Sequence, residues 1–159
     1  MEGVETVTEK SQIGVLVKRE TYVIDTSVAL KWFYQEKEKA IDKAFKLRDD
    51  YRQRKIDLRA PDLLLFELAN VLRYKRDLEE RYIQGAVGSI YKLQLIEQVS
   101  QEVTKEAVRI ALQFESSVYD AVYLALAEEN RCPFITADNR FYQKVKNRPY
   151  VIFIDDYGE

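Results

Sequence analysis

Short apolar runs, separated by stretches of helical periodicity, recur along this chain and limit its fold more than any other feature. Tyr22-Val23-Ile24, Phe134–Ala137 and Val151–Ile154 are the runs, while Ile56–Ala60 and Leu95–Val99 are further short strand candidates broken by polar residues. A strand with one wet face alternates apolar and polar residues, so strands without that alternation are covered on both faces. Strands of this kind separated by helices predict a central parallel sheet with helices above and below, a three-layer α/β/α domain. At 159 residues the chain has the length of one such domain.

The expected helices cover Thr26–Tyr34, Glu36–Arg54, Leu63–Lys75, Glu79–Leu93, Glu102–Phe114, Ser116–Asn130 and Asn139–Lys146. Pro61-Asp62 opens the third of these with a proline turn and an acidic first-turn residue. Residues 1–20 show no clear periodicity and form an N-terminal extension. Within it Ile13–Val17 reads equally as an edge strand or a tail. The folded domain is expected over residues 21–159.

Composition removes most catalytic chemistries. There is no histidine, which excludes histidine-based triads, imidazole acid–base catalysis and histidine-ligated metals. Cys132 is the single cysteine, so zinc–thiolate and iron–sulfur centres are excluded too, and its place beside Pro133 fits a buried inert thiol. Any metal must be held by oxygen, which selects Mg²⁺ or Mn²⁺. The formal charge of −2 excludes a uniformly basic polyanion binder but not a local basic patch. Met1–Lys10 is acidic and lacks the apolar core of a signal peptide, so a cytoplasmic location is expected.

Among 27 acidic residues, four have unusual surroundings. Asp25 and Asp138 end apolar strands. Glu67 and Asp120 are the lone charges inside the apolar runs Leu63–Ala69 and Val118–Ala127. An unpaired carboxylate in such a setting costs several kcal/mol, so it needs a partner, a raised pKa or a cleft. In a parallel sheet the strand ends and the starts of the following helices share one edge, where ligands bind. Four carboxylates meeting there call for a divalent cation. Each has a plainer reading: Asp25 and Asp138 as helix caps, Glu67 as a partner of Arg73 or a lysine, Asp120 as a tyrosine acceptor. Thr26 and Ser27 stand beside Asp25, Asn70 lies one turn beyond Glu67, and Thr136 and Asn139 bracket Asp138.

With these residues in view, the chain resembles PIN-domain nucleases, most closely the VapC-type toxins of toxin–antitoxin pairs. The motifs are Val23-Ile24-Asp25-Thr26-Ser27, Pro61–Asn70 with Glu67, Ser117-Val118-Tyr119-Asp120-Ala121 and Ile135-Thr136-Ala137-Asp138, spread over Thr21–Ile154. Four motifs in one order are far more specific than any one of them. The resemblance implies a PIN-like sheet of four or five strands and Mg²⁺- or Mn²⁺-dependent endonucleolytic cleavage of RNA. Asp25, Glu67, Asp120 and Asp138 would hold the metal, and Thr26 or Ser27 would assist. It also implies a homodimer and a small cognate antitoxin whose tail occupies the groove. The extension before the first motif departs from the usual compact start.

Lys31, Arg73, Lys75, Arg76 and Arg140 lie near the motifs and are available for phosphate contacts, with ordinary surface charge as the competing reading. Trp32, Tyr34 and Tyr74 are available for base stacking or for packing. A catalytically inactive PIN-like binding module is the alternative function. A Mg²⁺-dependent phosphatase of the haloacid-dehalogenase kind fits less well, since Ser27 stands where its second Asp is needed. A receiver domain wants a lysine where Asp155-Asp156 follow the last strand.

Overall fold

The computed structural model describes residues 18–159, so the Ile13–Val17 segment lies outside the described residues. The chain runs β1 (Glu20–Ile24), α1 (Thr26–Ala29), a 3-10 turn (Leu30–Trp32), α2 (Ile41–Arg52), β2 (Ile56–Pro61), α3 (Leu63–Arg73) and α4 (Glu80–Leu93). It continues through β3 (Ile96–Glu97), α5 (Gln101–Phe114), α6 (Val118–Glu129), β4 (Phe134–Thr136), α7 (Asn139–Val145) and β5 (Val151–Phe153), and closes with a 3-10 turn (Ile154–Asp156). All strands are parallel, in the order β3-β2-β1-β4-β5. The expected three-layer α/β/α architecture is what forms.

Strand order places the site. β1 pairs with β2 on one side and with β4 on the other, so the chain direction across the sheet reverses at β1/β4. Loops leaving those two strands diverge and open a crevice between them. Asp25 immediately follows β1, and Asp138 stands two residues beyond β4.

Burial follows from the strand sequences. Val23, Ile24, Phe134 and Ile135 have no exposed surface, as strands covered on both faces require. Helix α6 buries seven consecutive residues, Ala121–Ala127, because it lies across β1, β2 and β4 with α5 packed outside it. Burying a large side chain such as Leu124 or Leu126 stabilises the fold by roughly 1.5–3 kcal/mol. Cys132 is buried as expected, and burial raises its thiol pKa. Among the described residues no helix is long and apolar enough to cross a membrane.

Two helices are shorter than the sequence periodicity predicts. The helix after Asp25 becomes α1 plus the 3-10 turn, because the Trp32 indole turns inward and donates to the Ala44 carbonyl at 2.8 Å. The next helix starts at Ile41 rather than Glu36, since Ala40 adopts a left-handed conformation (φ 51°) that interrupts the helix. The strand expected at Leu95–Val99 reduces to Ile96–Glu97 at the sheet edge.

Candidate active site

Asp25 is fixed by its own neighbours. It is the N-cap of α1, with Oδ1 accepting from the backbone amides of Ser27 (3.0 Å) and Val28 (3.4 Å) and from the Ser27 hydroxyl. Oδ2 accepts from Thr136 Oγ1 at 2.5 Å. The plainer cap reading is therefore correct, and it coexists with the site. Capping requires the chain to turn sharply after β1, and that turn delivers the carboxylate to the sheet edge.

Thr136 and Ser27 serve both acidic strand ends. Thr136, with no exposed surface, also accepts from the Asp138 amide at 3.0 Å, and Ser27 Oγ accepts from the Ala137 amide at 2.8 Å. Each hydroxyl has one proton and gives it to Asp25, so their mutual 3.4 Å approach is a contact between acceptors. Asp138 is the N-cap of α7, with Oδ1 accepting from the Phe141 amide at 3.2 Å.

Glu67 projects from α3 and is half-buried. Its Oε1 accepts from the Tyr123 phenol and from Thr26 Oγ1 at 3.3 Å, and those two hydroxyls are 2.9 Å apart. The Tyr123 ring is almost wholly buried, and burial together with the adjacent carboxylate holds its proton in place by raising its pKa. Asp120 sits in the first turn of α6, whose N-cap Ser117 accepts from the Asp120 amide at 3.0 Å.

These side chains share one cleft. Asp25, Glu67, Asp120 and Asp138 line a cavity of about 240 Å³ together with Thr26, Ser27, Leu30, Val71 and Tyr123. All six residues expected to form the site are present in it. Asn70 and Asn139 do not line it and are exposed. At 100° per residue, Val71 lies closer to the Glu67 direction than Asn70 does, and Val71 takes the wall. Tyr123 is the residue that sequence reasoning passed over. Its signal was a phenol inside an otherwise apolar helix, where a buried hydroxyl must find a partner.

Burial and mutual repulsion disfavour the ionised forms of Asp25, Glu67 and Asp120 in the cleft. Burial pushes the Asp25 carboxyl up to about 7, with Asp138 adding repulsion, while the bonds from Ser27, Thr136 and Val28 pull it down. Burial also raises Glu67 and Asp120, with added repulsion from Asp120 and Asp138 respectively. Arg140 and Lys144 pull Asp120 the other way. Both line an adjoining groove of about 300 Å³ whose wall includes Asp120 and Asp138.

Oxygen-only donors around a desolvated anionic notch match a hard divalent cation. Among the described residues, however, no three His, Cys, Asp or Glu side chains are gathered into a ready-made ligand set. The donors are of the right type on one cleft wall, and closing them on a cation requires side-chain movement.

The other candidate contacts fall elsewhere. Lys31 is buried and pairs with Glu38 at 3.5 Å, so it is neither surface charge nor phosphate ligand. Trp32 belongs to the core. Arg73 stacks over Tyr74 and Lys75 over Tyr34, at 4.9 and 4.7 Å from the ring centres, outside the acidic cleft. Of the five cations considered, Arg140 alone lines the groove that adjoins the acids.

Comparison with known proteins agrees with the fold. A toxin–antitoxin complex from Klebsiella pneumoniae contains a chain that superposes with a TM-score of 0.59 at 15% identity, covering 84% of this chain and 97% of that one. PAE2754 from Pyrobaculum aerophilum gives 0.57 at 21% identity, covering 86% and 90%. VapBC2 from Rickettsia felis, solved with a fragment of promoter DNA, gives 0.61 at 12% identity, covering 84% and 96%. At these identities the likeness is one of fold. No curated protein matches the chain. The family model for the PIN domain matches residues 22–147, most of the chain and the span that contains all four acids, and the protein belongs to the PIN-domain family.

Proposed function

We propose that this protein is a Mg²⁺- or Mn²⁺-dependent endoribonuclease, the toxin of a type II toxin–antitoxin pair. One observation carries the reading: four carboxylates from separate parts of the chain line one cleft at the switch point of a PIN-family sheet. Clustered buried carboxylates cost stability, so a scaffold gains nothing from keeping them.

Asp25, Glu67, Asp120 and Asp138 would hold the metal. When bound, it supplies Lewis acidity toward water and phosphate oxygens. The protein's part is positioning. Ser27 and Thr136 clamp both oxygens of Asp25, and Tyr123 with Thr26 orients Glu67. Arg140 and Lys144 bring positive charge into the groove beside Asp120 and Asp138, where a phosphodiester entering the cleft meets it.

An antitoxin partner is supported by the fold's likeness to chains from a toxin–antitoxin complex and from VapBC2. A homodimer and a cytoplasmic site of action complete the reading. Purified protein should cleave structured RNA with Mn²⁺ and lose that activity in EDTA. Cleavage that persists in EDTA, or that survives Asp25→Asn and Asp120→Asn, would sink the assignment.

A further inference from the structure

A second cavity lies away from the acids. It is about 700 Å³, three times the acidic cleft, and is bounded by the residues preceding β1 and β2 and by the C-terminal ends of α2 and α4. It therefore opens at the opposite edge of the sheet. Its charge is reversed as well: Arg19, Arg48, Arg52, Arg54 and Lys92 line it against the single acid Asp57.

Those cations are poorly neutralised. Arg19 lies 3.8 Å from Asp57, and Arg48 lies 3.5 Å from Asp49. Arg52, Arg54 and Lys92 have no acidic partner among the described residues. Arg48 Nε is buried without a hydrogen-bond acceptor among the described residues, the one side-chain nitrogen or oxygen left in that state. A buried guanidinium N–H without an acceptor is costly, and an oxygen anion brought within its reach would supply one.

The walls add shape. The Arg48 guanidinium is held over the Phe45 ring at 4.6 Å, which fixes its plane. Tyr51 is anchored by its phenol to the Leu93 carbonyl at 2.6 Å, and the buried Trp32 is also among the lining residues. Planar forks preset around a roomy, aromatic-walled cavity suit phosphate oxygens with an attached ring system.

We propose that this basic cavity is a second, metal-independent binding site for phosphate groups of a nucleotide unit, carried on an RNA strand or free in solution. It deepens the nuclease reading by giving the protein a hold on RNA remote from the acids. Its test is kept separate from that reading by measuring binding in EDTA, where no metal-dependent cleavage can occur.

The experiment is fluorescence anisotropy of a short labelled oligoribonucleotide on the full-length protein, with AMP and inorganic phosphate as competitors. Arg52→Gln/Arg54→Gln alters two exposed cations and should weaken binding about tenfold, lowering the salt slope by roughly 1.5–2. A control pair on exposed cations elsewhere, Lys105→Gln/Arg131→Gln, should change little. Competition by AMP at parity identifies a free nucleotide as the occupant, and its failure identifies the strand. An unchanged affinity in the Arg52/Arg54 variant, an equal loss in the control pair, or no binding of any probe overturns the proposal. A protein that binds in this way yet fails to cleave RNA with Mn²⁺ would refute the nuclease reading alone.

Discussion

Thr136 Oγ1 donates to Asp25 Oδ2 at 2.5 Å, joining the ends of β4 and β1 across 111 residues of sequence. The same oxygen accepts the Asp138 amide, so one buried hydroxyl sets the distance between two acids of the cleft. Thr136→Val keeps the shape and removes both bonds. It should cost about 1–3 kcal/mol in urea unfolding, since a buried amide and a buried carboxylate lose their partner. RNA cleavage should fall more than the stability loss explains. Wild-type turnover in a destabilised Thr136→Val protein would show that the spacing has no bearing on chemistry.

Asp25 makes the metal-free protein less stable as pH rises. Its folded pKa, raised to about 7, lies above the unfolded value near 3.8, so between those values the folded state binds the extra proton. Its contribution is favourable below pH 4 and is lost as pH climbs through 7, up to about 4 kcal/mol in all. Asp25→Asn stays neutral and retains an acceptor for the α1 cap. Thermal melts in EDTA at pH 8 should place the variant above wild type, with the gap shrinking toward pH 5. Equal melting temperatures at pH 8 would contradict a desolvated carboxylate.

Tyr123→Phe removes one hydroxyl from Glu67 and leaves Thr26 as its remaining donor. Partners that orient a metal ligand typically matter 10–100-fold, so Mn²⁺ affinity measured by calorimetry should fall about tenfold or more. Far-UV circular dichroism should stay as in wild type, because the ring and its packing remain. Unaltered Mn²⁺ affinity would reduce Tyr123 to a core residue.

Acid sensitivity should come from a different place. Asp50 accepts from Lys46 Nζ at 2.6 Å and from the Tyr157 phenol at 2.7 Å, tying α2 to the C-terminal turn. The Lys46 bond is the main cause of its lowered carboxyl pKa. A depressed folded pKa stabilises above the unfolded value and is lost as pH falls through the folded one. Asp50→Asn should therefore flatten the decline in stability below about pH 4, as followed by acid titration of the near-UV spectrum. An acid limb identical to wild type would assign that sensitivity to other carboxylates.

The strands and the four acids were readable because both signals are local. Val23-Ile24 and Phe134-Ile135 are apolar on successive residues, and Glu67 and Asp120 interrupt apolar runs where a charge needs a reason. What escaped depends on contacts between distant segments. Tyr123 reads as one more large residue of an apolar helix until Glu67, 56 positions away, is seen to accept its hydrogen bond. Lys31 and Trp32 look like available surface groups until the turn after α1 folds them inward onto Glu38 and Ala44. The basic cavity draws its cations from the approach to β1 and from the far ends of α2 and α4, a grouping that the near-neutral total charge conceals.

That Asp25 and Asp138 each begin a helix has an evolutionary consequence. Replacing either with alanine would unseat a helix start, typically at about 1 kcal/mol, as well as disarm the cleft. A descendant that abandoned nucleolysis would still be under selection to keep an oxygen at both places. Retired copies should therefore drift toward asparagine or serine there, and a survey of divergent relatives can look for that scar.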